Sequence, residues 1–210
     1  MNMNIKKTAN LLINFTIKRL AEIFGITVFV AGILLFFALL TYSPEDPNFI
    51  FPDNKAIKNI LGFYGSFLSD LFFQSLGLLS YMISFTLIFT GINIFRIKEF
   101  FLVIENIFFS VIYSIFGCLF LSHFYLEAFD LYINGNGGFV GTYLNKTFLK
   151  SLILINETIF YYILIIITSS FFLISINFHP LKFYLIIKKI LQIFRKKEKN
   201  YTNESEVIKE

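Results

Sequence analysis

The stretch Ile23 to Pro44, IFGITVFVAGILLFFALLTYSP, holds no charged residue over about 22 positions. A helix rising about 1.5 Å per residue needs about 20 such residues to cross roughly 30 Å of hydrocarbon. Three further stretches free of Asp, Glu, Lys and Arg follow, Leu71 to Phe95, Asn106 to Leu126 and Thr158 to Leu181. They place spans at about 23–43, 71–95, 106–126 and 158–179 within a membrane domain of residues 23–181. Lipid offers no partners to backbone N–H and C=O groups, so helices, whose backbone bonds are internal, are the expected form. The fold expected is an all-α integral membrane protein with four transmembrane helices.

Composition points the same way. The 210 residues are 56% hydrophobic, above the roughly 45–50% of ordinary soluble domains, and their mean hydropathy is +0.71. A soluble domain of this length cannot wrap four such helices in water-compatible chain. The basic start (Lys6, Lys7, Lys18, Arg19) leads into an apolar run longer than a signal-peptide core and no A-x-A site follows, so residues 1–22 read as a cytoplasmic basic segment. With that terminus inside, fourteen of the eighteen Lys and Arg residues fall on the cytoplasmic side and four outside. The positive-inside rule therefore puts both termini in the cytoplasm of a multi-pass membrane protein.

Between the first two spans, TYSPEDPNFIFPDN (Thr41 to Asn54) gathers three of the four prolines and reads as an ordered turn outside the membrane, because proline steers itself and the preceding residue away from helix. Ala56 to Asp70 reads as a short helix leading into the second span. The segment from Glu127 to Glu157 carries NGNGGFVGTYL (Asn134 to Leu144), where glycines permit close backbone approach, and its apolar remainder is expected to dip toward the interface. After Pro180, residues 182–199 read as a basic juxtamembrane helix, with Lys182, Lys188, Lys189, Arg195, Lys196 and Lys197 against anionic membrane lipid. Simple charge flanking the last span is the equal alternative. Residues 200–210 read as a polar tail or the start of a linker.

Chemistry inside a membrane is usually carried by ionisable groups at mid-depth. Here Glu22, Asp70, Glu105, Glu127 and Glu157 all fall at span ends. The single cysteine, Cys118, reads as a buried apolar residue, and His123 and His179 sit at the ends of different runs. No catalytic residue, metal site or cofactor is therefore expected. GTYLNKT (Gly141 to Thr147) contains a K-T pair without the glycine spacing of a phosphate-binding loop. Gln74, Asn93 and Asn177 are expected to bond between helices. Small residues at helical spacing, Ala21, Gly25 and Gly32 in the first span among them, fit close packing either inside the chain or between protomers.

Two motifs are specific. One is the turn S-P-E-D-P at Ser43, Pro44, Asp46 and Pro47; the other is the run Asn59, Gly62, Gly65, Ser66, Ser69, Asp70 within NILGFYGSFLSDLFF. With the weaker glycine stretch at Gly137, Gly138 and Gly141, they resemble the membrane domain of FtsK/SpoIIIE-type DNA translocases over roughly residues 19–180. The resemblance implies a septal anchor and assembly module in the bacterial inner membrane, acting in cell division and chromosome segregation, a homo-oligomer (hexameric in that family), and contact with other division-site membrane proteins. It makes Ser43, Pro44, Asp46, Pro47, Asn59, Gly62, Gly65, Asp70, Gly137, Gly138 and Gly141 the structural and interaction candidates. The sequence runs to Glu210 without a Walker A or B motif or a DNA-reading winged helix. Motor activity is therefore not carried over, no enzyme is expected, and DNA would be reached only through a motor domain not contained in this sequence. The rival readings are a small transporter or channel with a backbone-lined path, and a general membrane adaptor.

Overall fold

A computed structural model describes residues 2–47, 56–125, 134–180 and 188, with side chains from Lys7 onward. By internal contacts the chain divides into two units, residues 1–177 and 178–210. Among its described residues the first unit is entirely helical in its regular structure: α1 (Asn2–Leu40), α2 (Gly62–Leu76), α3 (Ser80–Ile97), α4 (Leu102–Phe124), α5 (Gly138–Leu144), α6 (Phe148–Ile155) and α7 (Glu157–Ser175), with a 3-10 turn at Gly77–Leu79. Four helical stretches are long and apolar enough to cross a membrane: Lys7–Leu40, Gly62–Ile97, Leu102–Phe124 and Glu157–Ser175. Of the second unit, Lys188 is helical and exposed, while Lys182, Lys189, Arg195, Lys196 and Lys197, and with them the expected juxtamembrane helix, lie outside the described residues.

α1 has 39 residues, about 58 Å of helix, and so runs well past one bilayer thickness. The basic start is continuous with the first span. Pro44 disfavours helix at Ser43, and α1 stops at Leu40.

α1 packs antiparallel on α3 through glycine. A Cβ on Gly25 would stand 2.7 Å from the Phe95 nitrogen, one on Gly32 2.7 Å from the Ile88 nitrogen, and one on Gly91 2.4 Å from the Phe29 nitrogen. Only hydrogen at those positions allows the two backbones to lie this close, which raises the dispersion contact that drives helix pairing where lipid removes the hydrophobic effect. The small-residue face of the first span is thus consumed inside the chain. At the end of the bundle that the charge distribution places in the cytoplasm, Glu22 takes both Lys98 Nζ at 2.6 Å and Arg19 Nη1 at 2.5 Å, pinning α1 to the left-handed end of α3 (Lys98 φ +66°).

Polar side chains join the remaining helices. Thr86 on α3 bonds Tyr113 OH on α4 at 2.9 Å and Ser175 Oγ on α7 at 3.1 Å. One turn toward the cytoplasmic end, Asn106 donates to Thr90 Oγ1 at 2.8 Å and accepts from Asn177 at 3.1 Å, while Asn93 donates to the Ile176 carbonyl at 3.1 Å. Each of these groups would otherwise be unpaired in hydrocarbon, so the ladder fixes which faces of α3, α4 and α7 meet. The expectation for Asn93 and Asn177 holds, and Asn106, 1% exposed, is its centre. Outward faces carry Leu34, Phe37, Phe108, Val111 and Ile166, all exposed, as a lipid-facing surface requires.

The second apolar stretch is not one helix. α2 ends at Leu76, Gly77 takes φ +59° and ψ −138°, and the 3-10 turn leads into α3. α3 alone, 18 residues, covers about 27 Å. α2 instead bridges from the end of α1 to α5 over the opposite end of the bundle. The short helix read from Ala56 begins at Gly62, because Asn59 turns the chain first.

Candidate functional site at the loop end of the bundle

The end of the bundle away from Glu22, outside the cytoplasm by the charge count, is where the two motifs meet. Ser43 to Asp46 forms a turn, with Pro44 pre-set at its second position and the Asp46 N–H donating to the Ser43 carbonyl at 3.2 Å. The turn aims the Asp46 carboxylate inward, where it is 5% exposed. One oxygen accepts from the Lys58 N–H at 2.9 Å and the other from the Asn59 N–H at 2.8 Å. Such charge-assisted bonds to backbone are among the stronger ones, and they close the loop between residues 47 and 58 at its base. On the surface, Lys58 Nζ meets Glu45 at 2.7 Å, and the hydrogen bond to that carboxylate raises the Lys58 pKa above 10.5.

Asn59 is the interior counterpart. Its Nδ2 donates to the Ala38 carbonyl at 2.8 Å, capping one of the last carbonyls of α1, and its Oδ1 accepts from the Leu61 N–H at 3.1 Å, closing an Asx turn. That turn delivers Gly62 at φ +65° with open space around it; the glycine there serves conformation. Gly65 serves space, since a Cβ on it would fall 2.1 Å from Asn59 Oδ1. Ser66 Oγ donates to the Pro47 carbonyl at 3.0 Å, and Ser69 Oγ, bonded to the Ser66 carbonyl, lies 3.5 Å from Asn59 Nδ2.

Asp70 carries the arrangement onward. Its Oδ1 accepts from Tyr42 OH at 3.2 Å and from Gln74 Nε2 at 3.5 Å. Gln74 in turn accepts from Asn134 Nδ2, through both its side-chain and its backbone oxygen, at 3.2 Å. The glycine stretch then seats on the α2 kink and on α4: the Leu78 N–H donates to the Asn136 carbonyl at 2.9 Å, and Asn136 Nδ2 donates to the Tyr125 carbonyl. A Cβ on Gly137 or Gly141 would stand 2.3 or 2.2 Å from the Cys118 carbonyl, and one on Gly138 2.6 Å from the Gly77 nitrogen.

The structure therefore joins all eleven outer candidates into one clasp over the bundle. Ser43, Pro44, Asp46 and Pro47 form the first turn; Asn59, Gly62, Gly65 and Asp70 form its receiver; Gly137, Gly138 and Gly141 form the far seat. Tyr42, Gln74, Asn134 and Asn136 complete it and were not singled out as its members from sequence; the Asn-Gly-Asn-Gly spacing of the loop was the available signal. The Asp46 carboxylate holds backbone in place, and the Asp70 carboxylate ties the side chains of Tyr42 and Gln74. Among the described residues, no three His, Cys, Asp or Glu lie together as metal ligands would.

Around this frame the turn before α2, α2 itself and α5 present apolar side chains outward, notably Ile60, Tyr64 (79% exposed), Phe139 and Tyr143. A family model described as the 4TM region of DNA translocase FtsK/SpoIIIE matches residues 17–183. No curated protein and no solved structure matches.

Proposed function

This chain belongs to the family of 4TM regions of FtsK/SpoIIIE DNA translocases, and from that membership we propose that it anchors and assembles a septal DNA translocase in the bacterial inner membrane, in cell division and chromosome segregation. The matched region is the membrane region and not the motor, so the role is one of placement. The observation that carries the reading is the clasp: Asp46, Asn59 and Asp70 spend buried and half-buried polar bonds on fixing the shape of the bundle's outer end. A fixed outer surface edged by Tyr64 and Tyr143 suits contact with other division-site membrane proteins, and aromatic side chains are the usual anchors of such contacts. Self-association in the membrane and a link to DNA through a motor domain complete the proposal.

A fluorescent protein fused after Glu210 tests it in dividing cells of the source bacterium. A midcell band is expected, together with its loss in Asp70→Ala at unchanged membrane level. Even envelope fluorescence of the unaltered chain sinks the division-site role.

A further inference from the structure

We propose that α6 is a lipid-binding helix: Phe148, Leu152 and Ile155 enter the acyl chains of the outer leaflet, and Lys146 and Lys150 hold the phosphates of acidic phospholipids above them. The helix has defined ends. Thr147 Oγ1 accepts from the Leu149 N–H at 3.4 Å at its start. Asn156 closes it, and the Asn156 Oδ1 accepts from the Ile159 N–H at 3.1 Å to begin α7.

The bundle fixes how α6 is rotated. Ile153, 2% exposed, lies in one apolar cluster with Leu119 of α4 and Leu164 of α7, and Leu149 packs against that cluster. At 3.6 residues per turn, Leu149 and Ile153 share the face turned to the bundle, while Phe148, Leu152 and Ile155 share one flank and Lys150 takes the opposite one. Phe148 and Ile155 are 73% and 76% exposed, and Leu152 is exposed with them.

Its depth follows from the same cluster. α7 has 19 residues, about 28 Å of helix, so its start marks the outer edge of the hydrocarbon. Leu164 lies seven residues beyond that start, and Leu119 five residues before the end of α4, about 7–10 Å inside it. α6 therefore lies at the edge of the acyl chains, and the dip toward the interface expected of this segment falls to α6, while α5 stays in the clasp. Charge selects the occupant. Lys146 and Lys150 are exposed, and neither side chain makes an ion pair or hydrogen bond within the described chain. An apolar flank opposite unpaired cations, held at this depth, is the form of a helix lying in an acidic lipid surface.

The inference rests on the four-span membrane fold and not on the division role. The chain contains no tryptophan, so a single one introduced into the full chain reports its own surroundings. Phe148→Trp and Ile155→Trp probe the flank; Ile166→Trp, on the exposed face of α7, marks the acyl interior, and Glu45→Trp, in the exposed turn, marks water. All four replace exposed side chains, which leaves the core as it is. In vesicles of phosphatidylcholine and phosphatidylglycerol, the two α6 chains are expected to be quenched most by lipid brominated near the headgroup end of its acyl chains. Ile166→Trp is expected to be quenched most by lipid brominated deeper, and Glu45→Trp by neither. Bromine carried on phosphatidylglycerol is expected to quench Ile155→Trp about fivefold more effectively than bromine on phosphatidylcholine, the worth of one lysine near an anionic surface. Lys146→Gln with Lys150→Gln is expected to make the two lipids equal. If Phe148→Trp and Ile155→Trp are quenched no more than Glu45→Trp while Ile166→Trp is quenched, the lipid contact is overturned and the flank belongs to a protein partner. Equal quenching by the two lipids before the lysines are replaced, or a preference that survives both replacements, overturns the hold on phosphate.

Discussion

Asn59 Nδ2 stands 2.8 Å from the carbonyl oxygen of Ala38, twenty-one residues earlier in the chain, and the same side chain turns its own backbone through Leu61 N–H. One buried amide thus ends α1 and starts α2. Asn59→Ala leaves the Ala38 carbonyl and the Leu61 N–H without their side-chain partner while keeping the backbone N–H that Asp46 accepts from, and a buried group left unpaired costs about 1–3 kcal/mol. The unfolding midpoint in a denaturing-detergent titration is expected to fall by that amount; an unchanged midpoint would show that water replaces the amide at no cost.

The glycines separate into two kinds. Gly62 needs φ +65° in open space, so Gly62→Ala is expected to cost about 1–2 kcal/mol, with Gly62→Asn recovering part of it because Asn tolerates that region. Gly141→Ala drives a methyl into the Cys118 carbonyl at 2.2 Å and is expected to cost more, with no rescue by Asn. Equal effects at the two sites in the same titration would contradict the distinction.

Asn106 serves Thr90 and Asn177 at once. Asn106→Leu removes both bonds within the membrane and is expected to destabilise by about 1–2 kcal/mol, two interhelical bonds at roughly 0.6 kcal/mol each plus imperfect packing. A double-mutant cycle with Asn177→Ala should show coupling between the two positions, and strict additivity would remove the ladder from the account.

Lys58 and Glu45 pair in solvent. Because the pair raises the Lys58 pKa above its ordinary 10.5, any stability it supplies is fully present below that value and is lost as pH rises through the folded one. Exposed pairs contribute little, so Lys58→Met is expected to leave the unfolding midpoint unchanged at pH 7 and at high salt. A clear loss at low salt that vanishes at high salt would show that the clasp relies on its surface charge and not on Asp46.

Much of this was legible in the sequence, and the reasons are physical. The absence of charge from Ile23 to Pro44 and from three later stretches reports the cost of placing charge in hydrocarbon, a property of each residue alone. Proline in S-P-E-D-P and glycine at Gly62 likewise act through local dihedrals. The break at Gly77 was not legible, because Gly77–Leu79 is as apolar as the helices it separates and only its φ of +59° ends α2. Nor could spacing decide whether Gly25 and Gly32 faced another protomer or the chain itself; that needed Gly91 opposite them. Charge and hydropathy thus determined that the chain is a four-span helical membrane protein. Tertiary structure alone decided that Tyr42, Asp46, Asn59, Asp70 and Asn134, spread over ninety-odd residues, form one clasp, because a hydrogen bond between distant residues depends on backbone geometry that no local pattern encodes.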